Sequence, residues 1–566
     1  MSLMNKELVL FRARRALLLI GPSVSLLVAP WTNYDPISCV KVLALSSITF
    51  FVGSLVFSLR SELFSRISKW LPILSALFIA MMISTMIFSG APLTQQIWGM
   101  FGRNTGFVTY LSLVLVALFT ALLSNQGFLR NICWSLIYTS VAATAYAIIQ
   151  VLRLDPIRWS EMRPFATFGN INFSSAFFGM AALVSVIVAL DKNLAGYKRV
   201  ALFVLAVTDI AIIQTTDSIQ GVMIFGAGIT LAPLLFLLKS RKLRLLSIPY
   251  GLLALGGLYF VILGLLNKGF LAKILYQPSV VFRTDYMHAG YEMTLKRPIF
   301  GVGLDSYGDW YRTLRGLIST TRTSPDRIAN TAHNIFLDVS STGGLPLLAA
   351  FLGIILLALL SSIRYFRSMT KWDPIFIAIF CGWIAYQIQA LISINQVAVG
   401  IWGWLFTGAL VGYSNRELRI SENLQKRDVK RSKSSNSSFM GRALPIGLAF
   451  QTFTMTSVGL VTSGVPVFAD AKFHSAAQSA ALEKYVEATR LPGITAFHLV
   501  LAADAFRQAG LATSPEAKNL LSRLTEEFPR DYYAWRVIAY TDAIPERKSE
   551  ALAKLRELDP FNPENQ

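Results

Sequence analysis

Apolar runs of about twenty residues recur from Ala16 to Val465, with short polar stretches between them. A bilayer core of about 30 Å takes roughly 20 mostly apolar residues per helix, and inside lipid each segment must satisfy its own backbone hydrogen bonds. The runs therefore predict an all-α, polytopic membrane protein with about thirteen transmembrane helices. The expected spans are 16–32, 37–58, 70–89, 106–124, 131–151, 172–190, 200–215, 217–238, 245–266, 333–363, 374–394, 397–413 and 443–465. Asp209 interrupts the seventh of these. Composition points the same way: of 566 residues only 15% are charged, against about a quarter in a soluble globular protein.

The net charge of +20 would suggest a nucleic-acid partner in a soluble chain. Here the excess lies entirely in residues 1–470, and residues 471–566 are close to neutral, with 12 Lys and Arg against 13 Asp and Glu. No nucleic acid is expected. With the N-terminus in the cytoplasm, the segments 1–15, 59–69, 125–130, 191–199, 239–244, 364–373 and 414–442 collect 26 Lys and Arg. The short loops on the other side hold only Arg103, Arg153, Arg158 and Arg163. That asymmetry is the positive-inside pattern, and it predicts a cytoplasmic (inner) membrane location with these loops outside. The basic start before Ala16 reads as a signal anchor that stays in place. Cys39, Cys133 and Cys381 fall inside apolar runs without metal-ligand spacing and read as small hydrophobes.

Four regions follow. Residues 1–415 form the multi-span part, with a large outer loop at 267–332 that carries nine Lys and Arg. Long loops cross regardless of charge, so the topology stands. Such a loop is either a solvated, partly helical connection or an outward anion-binding surface. Residues 416–442 are polar and basic and predict a cytoplasmic linker, followed by the last span at 443–465. The tail, 471–566, has helical periodicity, with helices expected near 472–490, 495–509, 515–528, 531–543 and 546–558. EEFPRD and ELDPFN recur 31 residues apart, close to the 34-residue period of tetratricopeptide repeats. The tail reads as an extracytoplasmic, TPR-like helical domain or a plain bundle, and as a possible protein-binding element.

Chemistry is concentrated on the outer side. Of four histidines, His288 and His333 fall at the basic loop, and His333 stands where that loop meets the next span, in TAHNIFLDVSSTGGLPLL. A titratable residue at a membrane mouth is costly unless solvated or at work, although a capping histidine fits the position equally. Arg103, Arg163, Arg283, Arg312 and Arg315 share that side. The planar guanidinium fork matches phosphate oxygens, so converging arginines would suit a lipid diphosphate; scattered ones would merely snorkel. No Walker A loop, GxSxG elbow, HExxH or regular carboxylate cluster is present, so nucleotide hydrolysis and metal-dependent phosphoryl transfer find no support in the motifs.

Four segments in order resemble the O-antigen ligase/polymerase superfamily over about residues 90–415: FGRNTGFVTYLSL (101–113), ATFGNINFSSAFF (166–178), RTDYMHAGYEMTLKRPIFGVGLDSYGDWY (283–311) with its Pro298, Gly301, Gly303 turn, and AHNIFLDVSSTGGLPLL (332–348). The chain departs from the pattern at Ser218-Ile219-Gln220-Gly221, where many relatives have Ser-Arg-Gly. The resemblance implies a GT-C-like fold and a glycosyltransferase that uses a glycan on a polyprenyl diphosphate, with no cofactor and no metal. It implies His333 as catalytic base, and Arg283, Arg103, Arg163, Arg315, Asn334 and Gln220 as substrate-binding residues. The acceptor hydroxyl could belong to a glycan, a lipid or a protein, giving a polymerase, a ligase or a protein O-oligosaccharyltransferase. A transporter or flippase of polyprenyl-linked glycans is the competing class. It predicts charged residues along a transmembrane path and an internal repeat, and the sequence shows neither.

Overall fold

The computed structural model describes residues 3–65, 67–159, 161, 163–426, 446–541 and 545–565. Among these, the regular secondary structure is helical throughout, and each expected span falls on a helix. Among the described residues nine helices are long and apolar enough to cross a membrane, and Phe107–Leu123 and Pro374–Ala390 are apolar but shorter. The chain is a multi-pass helical membrane protein.

Two further helices carry charge and are built into the bundle all the same. The first, Leu3–Leu26, begins well before the expected start at 16 and ends before 32. Its basic residues do not break it: Arg14 donates through Nε to the Leu123 carbonyl (3.0 Å), and Lys6 pairs with Glu62. It stops at Leu26, and the restriction that Pro30 places on Ala29 keeps the helix from resuming there. Its Val9, Ala13, Leu17, Ile20 and Val24 are all buried in the main core. In Gly196–Thr215, Asp209 is buried and accepts from Ser140 Oγ (2.8 Å) and Thr144 Oγ1 (2.6 Å). Those two hydroxyls offset the cost of a carboxylate among apolar helices.

Small residues let the central helices approach closely, as packing in lipid favours. A Cβ on Gly408 would come within 2.1 Å of the Ala117 carbonyl oxygen, and one on Gly412 within 2.2 Å of that of Ala121. Helices Val397–Lys426 and Phe107–Leu123 therefore touch backbone to backbone. At the opposite extreme, Ser247–Leu265 lies at the periphery with Leu252, Leu253, Leu255 and Leu258 exposed, a surface suited to acyl chains.

The loops divide between two ends. One end holds Lys6–Glu62, Arg130–Asp191 and the hydrogen bonds of Lys239 to the Phe366 and Arg367 carbonyls. The expected linker 416–442 begins there, in the Val397–Lys426 helix; from residue 427 it lies outside the described residues. The other end gathers the remaining loops: Ser38 Oγ donates to Gly102, Arg103 to Asn330 and Asn334 to Leu391.

Two smaller cores sit at that second end. Residues 267–332 are folded, with helices Pro278–Lys296, Tyr307–Leu314 and Leu317–Thr323 around Tyr286, Met293, Tyr307, Trp310 and Tyr311. The C-terminal helices Leu482–Thr489, Ala496–Gln508, Pro515–Glu527, Tyr532–Thr541 and Pro545–Leu558 share a third core. The first expected tail helix, 472–490, is not separate: the last span and its start form one helix, Ile446–Ser479, which turns only at Ala480 (φ 51°). Nothing between Val465 and Ser479 stops the helix, and Pro466 is accommodated inside it.

Candidate active site

His333 stands at the junction of the outer loop and a spanning helix. The helix begins two residues later than the expected span, at Ile335, because Asn334 is extended (φ −151°, ψ 115°) and caps it. Asn334 Oδ1 accepts from Phe336 N (3.0 Å) and Leu337 N (3.1 Å), and Nδ2 donates to the Leu391 carbonyl (3.1 Å). Both ends of its side chain are engaged in holding the junction, so it contributes as a cap.

His333 itself is left-handed, at φ 52°. A non-glycine residue there costs about 1–3 kcal/mol, and such residues cluster at functional sites. Thr331 holds it in place: His333 N–H donates to Thr331 Oγ1 (2.9 Å), and Nδ1 lies 3.1 Å from that oxygen and 3.4 Å from the Thr331 carbonyl. A carbonyl can only accept, which favours the proton on Nδ1 and leaves the Nε2 lone pair free for a substrate. The Tyr286 ring lies against the imidazole, 5.0 Å between centroids, and is fixed by Tyr307, whose hydroxyl donates to the Tyr286 carbonyl (2.5 Å). Burial first, then the charge of Arg283 and that of Arg103, pushes the imidazole down to about 4. His333 is neutral at physiological pH.

Arg283 and Gln220 meet. In the orientation its hydrogen bonds require, the Gln220 carboxamide oxygen accepts from Arg283 Nη1 (3.1 Å) and Nη2 (2.6 Å). Gln220 is buried at the start of helix Ile219–Lys239. Burial lowers the Arg283 guanidinium from its ordinary value, which still leaves a cation at neutral pH. An arginine at position 220 would set two guanidinium groups against one another, so the departure at Gln220 matches its partner.

Arg103 ties three loops together. It donates to the Asn330 carbonyl and to Thr105 Oγ1 (3.3 Å), and its Nε lies 3.7 Å from Asp305 Oδ1. Asp305 in turn accepts from Met100 N (2.7 Å), Thr105 N (3.1 Å) and Thr105 Oγ1 (2.9 Å). Arg163 is at the edge, pairing with Asp217 (3.2 Å) three residues before Gln220, with both side chains half-exposed or more. Such surface pairs contribute little and leave its guanidinium accessible.

Arg315 is not brought to this group. It is fully buried, with Nη2 2.7 Å from Asp559 Oδ2 and Nε 3.3 Å from Oδ1. Arg312 shares that carboxylate at 2.8 Å. The two arginines also bond the carbonyls of Pro325, Asp326 and Arg327, on the segment that leads to His333. Arg315 is a strut between the loop and the C-terminal helices.

Sequence reasoning missed Tyr286, Thr331, Asp305 and Asp338. Thr331 was the most legible, because a threonine two residues before a bend bonds the backbone locally. Asp338, buried one turn into the helix, accepts from Ala332 N (2.7 Å), and its Oδ2 has no partner among the described residues. No group of three or more His, Cys, Asp or Glu suited to a metal ion occurs among the described residues.

The class these features define is a multi-pass membrane protein with a neutral histidine and arginines gathered at one end of its helical bundle. Residues 201–352, which hold Gln220, Arg283 and His333, match the family model described as O-Antigen ligase. The match supports membership of the O-antigen ligase superfamily, and with it a membrane glycan ligase or polymerase in general. No curated protein matches the chain significantly.

Proposed function

We propose that the protein transfers a glycan from a polyprenyl diphosphate to an acceptor hydroxyl on the outer face of the cytoplasmic membrane, in polysaccharide polymerisation or ligation. The observation that carries this reading is the half-buried His333, held in a left-handed bend by Thr331 and against Tyr286, and kept neutral by desolvation and the nearby Arg283 and Arg103 charges. The basic end of the bundle faces the cytoplasm by the positive-inside rule, so the His333 end faces outward.

The diphosphate sits against Arg283, with Arg163 at the rim and Arg103 holding the loops that frame it. Nε2 of His333 takes the proton from the acceptor hydroxyl as its oxygen attacks the anomeric carbon. The C–O bond to the diphosphate breaks, and Arg283 stabilises the charge that grows on the leaving group, a contribution of roughly 3–4 kcal/mol for a well-placed donor. A direct displacement inverts the anomeric centre. An imidazole at about 4 is a weak base in the free enzyme. The bound diphosphate offsets the two arginine charges that depress it, so base strength rises when the donor is in place. With guanidinium groups neutralising the diphosphate, the step needs no metal.

The test is the glycan profile of cells carrying wild type, a deletion, or His333→Ala at equal membrane levels. Single repeat units on lipid with loss of long chains in both mutants identify a polymerase. Long chains stranded on the carrier identify a ligase or protein glycosyltransferase. A His333→Ala strain with a wild-type profile sinks the assignment.

A further inference from the structure

A cavity of about 400 Å³ lies between the loop that carries Arg103 and the C-terminal helices, within the size range of small-molecule sites. Distant stretches wall it: residues around 89–101, the outer loop at Arg297 and Gly308–Trp310, and Thr495–Phe497 and Phe528–Tyr533 of the C-terminal helices. Asn330, whose carbonyl Arg103 grips, is also in the lining and is three residues from His333. The cavity thus reaches the segment that leads to His333 and is walled in part by the C-terminal helices.

Its chemistry is mixed in a particular way. Trp310 lies in the wall, with the Arg530 guanidinium 3.7 Å and that of Arg297 5.3 Å from its ring centroid. Arg530 spends Nη2 on Thr313 Oγ1 (2.8 Å), and its Nε is buried with no hydrogen-bond partner among the described residues. Asp309 accepts from Gln95 Nε2 (2.9 Å). Burial, then the neighbouring Asp531, pushes the Asp309 carboxyl up to about 7, so it both donates and accepts near neutral pH. A lipid tail would leave these polar groups unsatisfied, and an isolated phosphate would face Asp309 and Asp531. Vicinal hydroxyls on a ring with an apolar face both donate and accept, and they satisfy carboxyl, amide and guanidinium groups around an aromatic wall.

Resting on the function proposed above, we infer that this cavity is a second carbohydrate subsite, which holds sugar residues of the glycan away from the reacting anomeric carbon. The C-terminal helices then take part in substrate recognition, and Trp310, Asp309, Arg297 and Arg530 select the sugar.

The test uses the full-length His333→Ala protein in nanodiscs, so that nothing turns over. The probe is the repeat-unit oligosaccharide released by mild acid from the strain's own lipid-linked glycan, with binding read by saturation-transfer NMR. Binding to the parent is expected, weakened at least tenfold by Arg297→Ala and by Asp309→Ala, with hydrogen exchange of the C-terminal helices unchanged. Failure of the oligosaccharide to bind, equal binding by both cavity variants, or full displacement by inorganic phosphate each overturns the subsite. Restoring His333 separates the two ideas. If His333→Ala abolishes transfer while the cavity variants bind and transfer as wild type, only the subsite falls. If His333→Ala transfers normally, the proposed function itself falls.

Discussion

Asp559 is a carboxylate that both Arg312 and Arg315 reach, and its side chain and that of Arg315 are wholly shielded from solvent. Asp559→Ala leaves two buried guanidinium groups without their counter-charge. Breaking a buried pair by removing one partner costs about 3–5 kcal/mol. At 1.4 kcal/mol per decade, docking of the C-terminal helices onto the loop weakens by about two to nearly four orders of magnitude. Because the same arginines hold the carbonyls of 325–327, the loss is transmitted to the backbone that presents Asn330 and His333. Hydrogen–deuterium exchange on the purified protein in nanodiscs reads this directly. Amides in 307–333 and 545–559 should exchange faster by comparable factors, while those of the Phe107–Leu123 helix stay protected. Replacing Asp559, Arg312 and Arg315 together by apolar residues of similar volume should recover much of the protection, since no charge is then left stranded. Unchanged exchange in Asp559→Ala would refute the reasoning, because the buried pair would then carry no docking energy.

Three further outcomes are expected. For the free enzyme, the acid limb of kcat/KM should lie near pH 4, since the His333 base form persists above its depressed value; Arg283→Gln removes one depressing charge and should move the limb upward, and a limb at about 6.5 in both would contradict the buried site. Arg283→Lys should lower kcat/KM by about 10- to 100-fold, because an ammonium cannot reproduce the two-pronged contact with Gln220, and one charge-assisted bond is worth roughly 1.5–3 kcal/mol; wild-type kinetics would rule the contact out. Gly344→Ala should lower the thermal midpoint sharply: Gly344 is at φ 80°, and an added Cβ would meet the Ile299 carbonyl oxygen at 2.1 Å. An unchanged melting curve would mean that this contact is looser than the structure shows.

That last position explains motifs the sequence displayed without their reason. The break at Gly344 frees the Ser341 and Thr342 carbonyls, which accept from Val302 (2.8 Å) and Gly303 (3.0 Å), while Leu345 N–H donates to Pro298 (2.7 Å). The Pro298, Gly301, Gly303 turn and the Thr342-Gly343-Gly344 stretch are two halves of one joint that seats the loop on its helix.

The spans were legible because lipid imposes a length and an apolarity that few other environments demand. Their ends were less so. Arg12, Arg14 and Arg15 looked like a boundary, but a helix tolerates arginines whose charge finds carbonyls or the membrane edge. His333 could be placed because a titratable group at a membrane mouth stands out against apolar surroundings. Arg315 was misjudged for the complementary reason: an arginine in an outer loop looks the same whether it awaits a substrate or is locked to a carboxylate 244 residues away. Gln220 and Arg283 meet from separate segments of the chain, so the match that replaces an absent arginine shows only once the chain is folded.

The helix Ile446–Ser479 leaves the bundle without a hinge, and its Ala469 and Phe473 are already part of the C-terminal core. At 1.5 Å per residue this rod is about 50 Å long, some 20 Å more than a bilayer core requires. The C-terminal helices are therefore carried on a rigid post at a set height above the membrane, rather than on a leash. The contacts those helices make with the outer loop, through Asp559 to Arg312 and Arg315, are thus held in register by the post as well as by their own charges.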